Sequence, residues 1–186
     1  PEGPPFEALS PVAHALGSWL VCGFVERAAA RLFNSAMVVD PAGELRFVYR
    51  KTLLFEADRI WASEGDSGYA TFDTAHGDFA VGICMDLNAP RFIEWLADRR
   101  PKALAFPTTW VDEGEEVWPY WAWRLDPTTT ALVAANTWGA ERHLSFSGRS
   151  AILQRRDVRI PGPPRWWVLA STDQEGDGLL TATLEP

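Results

Sequence analysis

Cys84 is the side chain best placed to act as a nucleophile. It ends the run Phe79-Ala80-Val81-Gly82-Ile83-Cys84, and Met85-Asp86-Leu87-Asn88 then leads toward a helix-like stretch. A thiol attacks only as an accessible thiolate, and a strand-to-helix junction beside a cation exposes the sulfur and favours that form. Taken alone the signal is weak, because free cysteines are commonly small buried fillers. Cys22, inside Leu20-Val21-Cys22-Gly23-Phe24, has nothing nearby in sequence to activate it and keeps the inert reading. Two cysteines are too few for a disulfide framework, and the scattered His14, His76 and His143 have no metal-ligand spacing, so neither a metal nor a cofactor is expected.

The elements that must position Cys84 can be traced from periodicity. Phe6, Leu9, Val12, Ala13 and Leu16 recur at helical spacing before Gly17, which predicts a helix over residues 4–16. The apolar run 19–25 reads as a strand covered on both faces. Residues 36–39 and 44–49 read as two strands joined by the turn Asp40-Pro41-Ala42-Gly43. Further strands are expected at 69–72, 79–83, 103–106 (stopped by Pro107), 132–135, 147–153, 167–170 and 178–184. Helices are expected at 91–98 and 116–125. Interleaved strands and helices predict a layered α/β domain.

Composition narrows the function classes. The 186 residues carry a net charge of −8, which disfavours nucleic-acid and anionic-membrane partners. No apolar run approaches the roughly 20 residues of a membrane-spanning helix, and no basic leader precedes an apolar stretch. A cytoplasmic location is the expectation.

A second segment changes the weight given to Cys84. Tyr49-Arg50-Lys51-Thr52-Leu53-Leu54-Phe55 places Lys51 33 residues ahead of Gly82-Ile83-Cys84. Together the two segments resemble the nitrilase, or carbon–nitrogen hydrolase, superfamily. Phe33-Asn34-Ser35-Ala36, Glu64-Gly65-Asp66, Phe106-Pro107 and Ala135-Asn136 fall in that superfamily's order, so the resemblance spans nearly the whole chain. Arg50 through Asp58, Trp61-Ala62-Ser63-Glu64-Gly65 and Cys84-Met85-Asp86-Leu87-Asn88 are most similar to its N-terminal amidase branch, which deamidates N-terminal asparagine or glutamine.

The resemblance implies a four-layer α-β-β-α sandwich and a Glu-Lys-Cys triad. In that triad Cys84 is the nucleophile, and Lys51 with the Met85 N–H stabilises the oxyanion, at about 3–4 kcal/mol per donor. Trp110 is placed as a wall of the substrate pocket. One of Glu56, Asp58 or Glu64 supports Lys51, with no choice among them. Asn136, Ser150, Trp118, Trp121 and Trp123 are expected to be structural, and Asp86 to stabilise its turn. The triad's glutamate follows a proline at the end of a first strand. Pro1-Glu2 mimics that dipeptide without a strand before it, so the expectation is one hydrolase domain over 1–186, N-terminally incomplete, with its glutamate upstream.

The function expected from the resemblance is hydrolysis of a carboxamide through a cysteine thioester, on a peptide N-terminus. The alternatives are a general amidase, nitrilase or carbamoylase acting on small amides, and a non-catalytic, self-associating scaffold. A homo-oligomer is compatible with all of them.

Overall fold

A computed structural model describes residues 3–156 and 165–184; Glu2 lies outside the described residues. Helix α1 (Pro4–Leu16) starts with two prolines where no intrahelical N–H is needed. It stops at Gly17, whose φ of +58° suits a left-handed cap. Strands β1 (Leu20–Ala28), β2 (Arg31–Val39) and β3 (Leu45–Arg50) form an antiparallel sheet in chain order. The β2–β3 turn is fixed by the Asp40 carboxylate, which accepts the N–H groups of Ala42 and Glu44 at 2.9 Å each.

A second sheet of six strands has the order β11-β10-β7-β6-β5-β4. Its members are β4 (Thr71–Thr74), β5 (Gly77–Val81), β6 (Ala103–Thr108), β7 (Ala131–Asn136), β10 (Ala151–Arg155) and β11 (Trp166–Ser171). The β5-β6-β7 centre is parallel, and its crossovers carry α2 (Pro90–Arg99) and α3 (Trp118–Leu125). A separate hairpin joins β8 (Trp138–Glu141) to β9 (Leu144–Ser147).

Three apolar clusters separate four layers. Phe6 and Leu9 of α1 pack with Ala13 on Met37 and Val39 of the first sheet. Ala36, Val38 and Tyr49 meet Phe72, Val81 and Ile83 between the sheets. Phe92, Leu96, Trp121 and Leu125 of α2 and α3 cover Leu104, Leu132 and Leu153 on the far side. Alternate residues of β2 thus supply two layers, which is why 35–39 is buried throughout. The expected α-β-β-α sandwich is the architecture observed.

Several boundaries differ from expectation. Pro107 does not stop β6, which pairs with β7 through Thr108. On its other side the partner β5 has ended opposite Ala105, so the missing proline N–H faces no ladder there. Residues 147–153 are not one strand; β9 ends at Ser147, Gly148 and Arg149 turn the chain with φ of +57° and +53°, and β10 begins at Ala151. Residues 178–184 form no strand, and Leu179 is 90% exposed without a layer to cover it. Trp121 is buried, but Trp123 is 63% exposed against Tyr120 and Arg124 rather than in the core.

The outer face of the first sheet also holds an ion-pair cluster. Glu26 accepts Arg50 Nε at 2.9 Å, Arg50 Nη2 at 2.5 Å and the Ser35 hydroxyl at 2.7 Å. Arg50 also lies over the Phe33 ring at 4.1 Å and donates to Asp66 at 3.1 Å. The Arg50 hydrogen bonds hold the Glu26 carboxyl below its ordinary value. A carboxyl depressed in the fold stabilises it at pH above the unfolded value and loses that contribution as pH falls through the folded one. Glu26→Gln is therefore predicted to lower stability by about 1–2 kcal/mol at pH 7, with the gap to wild type closing below about pH 4. Urea unfolding at pH 7 and pH 3 checks this; an equal gap at both values contradicts it.

Candidate active site

Cys84 opens a 3-10 turn, Cys84–Asn88, three residues after β5 ends. Its φ of +46° is a left-handed conformation that non-glycine residues rarely adopt. Such an elbow turns the thiol off the sheet edge, and Sγ sits 3.9 Å from the Thr109 carbonyl oxygen. Gly82 is required behind it: a Cβ there comes within 2.6 Å of the Phe92 ring.

Asp86 holds the elbow in place. This fully buried carboxylate accepts the Ile83 N–H at 2.9 Å within its own turn. It also reaches the other sheet. There it accepts the Tyr49 hydroxyl at 2.8 Å, the Thr52 N–H and hydroxyl at 2.9 and 2.7 Å, and the Leu53 N–H at 3.0 Å. Those donors flank Lys51. Asp86 therefore does more than stabilise its turn: it clamps the Lys51 segment to the Cys84 segment. Burial, then the neighbouring Asp86, pushes the Tyr49 hydroxyl well above the usual tyrosine range, so it stays a donor.

Lys51 follows β3 and is nearly fully buried, its N–H donating to the Asn34 carbonyl at 2.8 Å. Its ammonium lies 2.5 Å from Asp58 Oδ2. Asp58 also accepts Asn34 Nδ2 at 3.2 Å and the Phe55 N–H at 3.1 Å, so the partner is itself held. Of the three acids left open by the sequence, Asp58 makes this contact; Glu56 and Glu64 do not. The loop returns through Gly65, whose N–H donates to the Lys51 carbonyl at 2.8 Å. Any side chain at 65 would strike the Arg50 carbonyl, since a Cβ falls 2.2 Å from its oxygen.

Lys51, Asp58 and Cys84 share the wall of one cavity of about 550 Å³, which Phe24 of β1 and Phe146 of β9 also line. The other two expected residues, Met85 and Trp110, line a neighbouring cavity of about 280 Å³ that meets the first at Cys84. Trp110 is half-buried, packed edge-on against Trp121 and beside Tyr120. Its loop is tied down by Asn136. That side chain accepts the Trp110 N–H at 2.9 Å and donates to Ser147 Oγ at 2.8 Å, joining the loop to the β8–β9 hairpin. Ser150 takes the Asn136 N–H at 2.9 Å. Cys22 is half-buried on β1 with its thiol pushed up by burial, a poor nucleophile.

Sequence reasoning missed two parts of this site. The β8–β9 hairpin brings Glu141, Leu144 and Phe146 to the cavity, but its turn at Arg142-His143 has no glycine or asparagine to announce it. The cross-sheet role of Asp86 left only the spacing of Asp86 to Thr52 and Tyr49 as a trace. Among the described residues no three His, Cys, Asp or Glu side chains are grouped to hold a metal ion.

Residues 1–185 match the family model for carbon-nitrogen hydrolase. The chain belongs to the carbon–nitrogen hydrolase family. Among relatives of this family, a probable nitrilase of Schizosaccharomyces pombe is 29% identical over 99% of the chain and 65% of its own length. A nitrilase of Pyrococcus abyssi is 34% identical over 82% of the chain and 57% of its own length. A protein N-terminal amidase of S. pombe is 27% identical over 81% of the chain and 67% of its own length. The chain thus spans under two thirds of the first two. A cysteine-to-alanine mutant of the Nesterenkonia amidase superposes with a TM-score of 0.74 at 19% identity, covering 91% of this chain and 63% of that one. The likeness shows that both sheets belong to the fold of these amidases.

The clamp yields a prediction. Asp86→Asn replaces one acceptor oxygen with a donor facing other donors, and is predicted to cost about 3 kcal/mol or more in folding stability. Urea unfolding measures it; a loss under about 1 kcal/mol contradicts the clamp.

Proposed function

We propose that this carbon–nitrogen hydrolase hydrolyses a carboxamide through a thioester on Cys84, and that its substrate is the side-chain amide of an N-terminal asparagine or glutamine. The observation that carries the proposal is the Lys51–Asp58 pair in one cavity with the elbow thiol. Asp58 holds the Lys51 ammonium in place, so it is already oriented when negative charge develops on the substrate oxygen.

In the proposed cycle Cys84 Sγ attacks the carboxamide carbon and the carbonyl oxygen gains the electron pair. That oxyanion is held by Lys51 Nζ and the Met85 N–H. The C–N bond then breaks and the nitrogen leaves as ammonia after taking a proton, giving the thioester. Water attacks the thioester, the C–S bond breaks and a carboxylate is released. Protons are carried by a glutamate outside the described residues, acting as base and then as acid. No step calls for a metal or cofactor.

Support for the N-terminal substrate comes from the Cys84-Met85-Asp86-Leu87-Asn88 segment and from the two protein N-terminal amidases, of S. pombe and Saccharomyces cerevisiae, among the relatives. A Nesterenkonia amidase whose active-site cysteine carries the acetamide moiety of fluoroacetamide supports covalent chemistry at Cys84. N-carbamoylputrescine amidases among the relatives keep the small-amide alternative in view.

The full-length protein is predicted to release ammonia from glutamine- or asparagine-initiated peptides, with Cys84→Ala abolishing turnover and Lys51→Met lowering kcat about 100-fold or more. A coupled ammonia assay decides. Unchanged turnover in Cys84→Ala refutes the mechanism, whereas activity on small amides alone moves the substrate to the alternative.

A further inference from the structure

We propose that Glu141 is the anchor for a substrate ammonium, which makes the preferred substrate a carboxamide carried on a short chain beside a free amine. This rests on the amidase function proposed above and adds the residue that selects within it.

Among the described residues two carboxylates line the cavity that Cys84 shares with Lys51: Asp58 and Glu141. They are not equivalent. Asp58 is committed to Lys51, Asn34 and the Phe55 N–H, and its charge is matched by the Lys51 ammonium. Among the described residues Lys51 is the one cation in that wall, and it is taken by Asp58, so none of them offsets the charge of Glu141 there. Among the described residues no hydrogen bond or ion pair engages the Glu141 side chain, which is exposed at the end of β8.

The surroundings make that free carboxylate effective. Leu144 and Phe146 of the facing strand and Phe24 give the same cavity apolar walls, against which a bound substrate excludes water from its contact with the exposed Glu141. The hairpin bearing it is fixed rather than loose. Val111 bridges to Phe146, the Asp112 N–H donates to the Ser145 carbonyl at 2.8 Å, and the Ser147 N–H donates to the Trp110 carbonyl at 2.9 Å. Glu113, Glu115 and Glu116 line the adjoining cavity beyond Cys84 and add potential of the same sign. An amide substrate with a carboxylate near its reacting end is repelled by this arrangement, and one with an ammonium is held.

For an N-terminal glutamine or asparagine the carboxamide and the α-ammonium lie on the same residue. With the carboxamide carbon at Cys84 and its oxygen toward Lys51, the ammonium turns to Glu141, the carboxylate among the described residues of that cavity that no cation engages. N-acetylation removes that charge and leaves the reacting amide intact, so it isolates the contact.

The test compares a glutamine-initiated peptide with its N-acetylated counterpart on full-length wild type, Glu141→Gln and the triple variant Glu113→Gln/Glu115→Gln/Glu116→Gln. Wild type is expected to prefer the free amine. Glu141→Gln is expected to reduce that preference about tenfold or more, chiefly through KM for the free-amine peptide. Preference kept in Glu141→Gln but lost in the triple variant overturns the assignment, as does a loss of kcat equal on both substrates, which marks Glu141 as a proton carrier. Thermal melts of each variant separate these outcomes from misfolding. Wild type favouring the acetylated peptide refutes the N-terminal substrate itself; intact wild-type preference surviving Glu141→Gln refutes only the anchor.

Discussion

One buried carboxylate joins the two sheets at the point where chemistry is possible. Asp86 takes donors from Tyr49, Thr52 and Leu53 on the Lys51 side and from Ile83 on the Cys84 side. A carboxylate taken out of water is costly unless its lone pairs are met, and five contacts from two segments meet them only when both segments are in place. The requirement works in both directions. The sheets must close correctly to satisfy Asp86, and Asp86 in turn fixes the register of the two chain segments that carry Lys51 and Cys84.

Other constraints follow from that join. Cys84 occupies a left-handed conformation because the turn that Asp86 caps begins there, and Gly82 lets α2 pack against the back of the elbow. Lys51 is buried, so its charge needs a partner; Asp58 supplies one, and the loop bearing Asp58 is drawn back onto β3 at Gly65. The ammonium and the thiol thus arrive in the cavity by separate routes, one through a neutralised ion pair and the other through a strained turn. Rigid placement of the ammonium is what oxyanion stabilisation in the proposed cycle demands, because donors that must reorganise during reaction lose most of their effect.

Much of the frame was legible in the sequence. Helical spacing with Gly17 marked α1, the Asp40-Pro41-Ala42-Gly43 turn marked the β2–β3 hairpin, and apolar runs marked the strands of both sheets. These are local signals, written in a few adjacent residues. The parts that stayed hidden depend on distant partners. Pro107 read as a stop because its neighbours in the sheet were unknown, and 178–184 read as a strand because alternation alone does not show that nothing lies beside it. Cys84 and Lys51 were legible as motifs; that Asp58 rather than Glu56 or Glu64 meets Lys51 follows from the loop path. Glu141 emerged only when its hairpin was seen at the cavity.

The central claim is that Cys84 carries the acyl group of an amide substrate. Acid-quenched mixing of the full-length protein with a glutamine-initiated peptide, followed by peptide mass spectrometry, tests it most directly. The account predicts a transient adduct on the Cys84 fragment equal to the substrate mass less ammonia. Ammonia release with no adduct at any quench time, or with the adduct on Cys22, contradicts it.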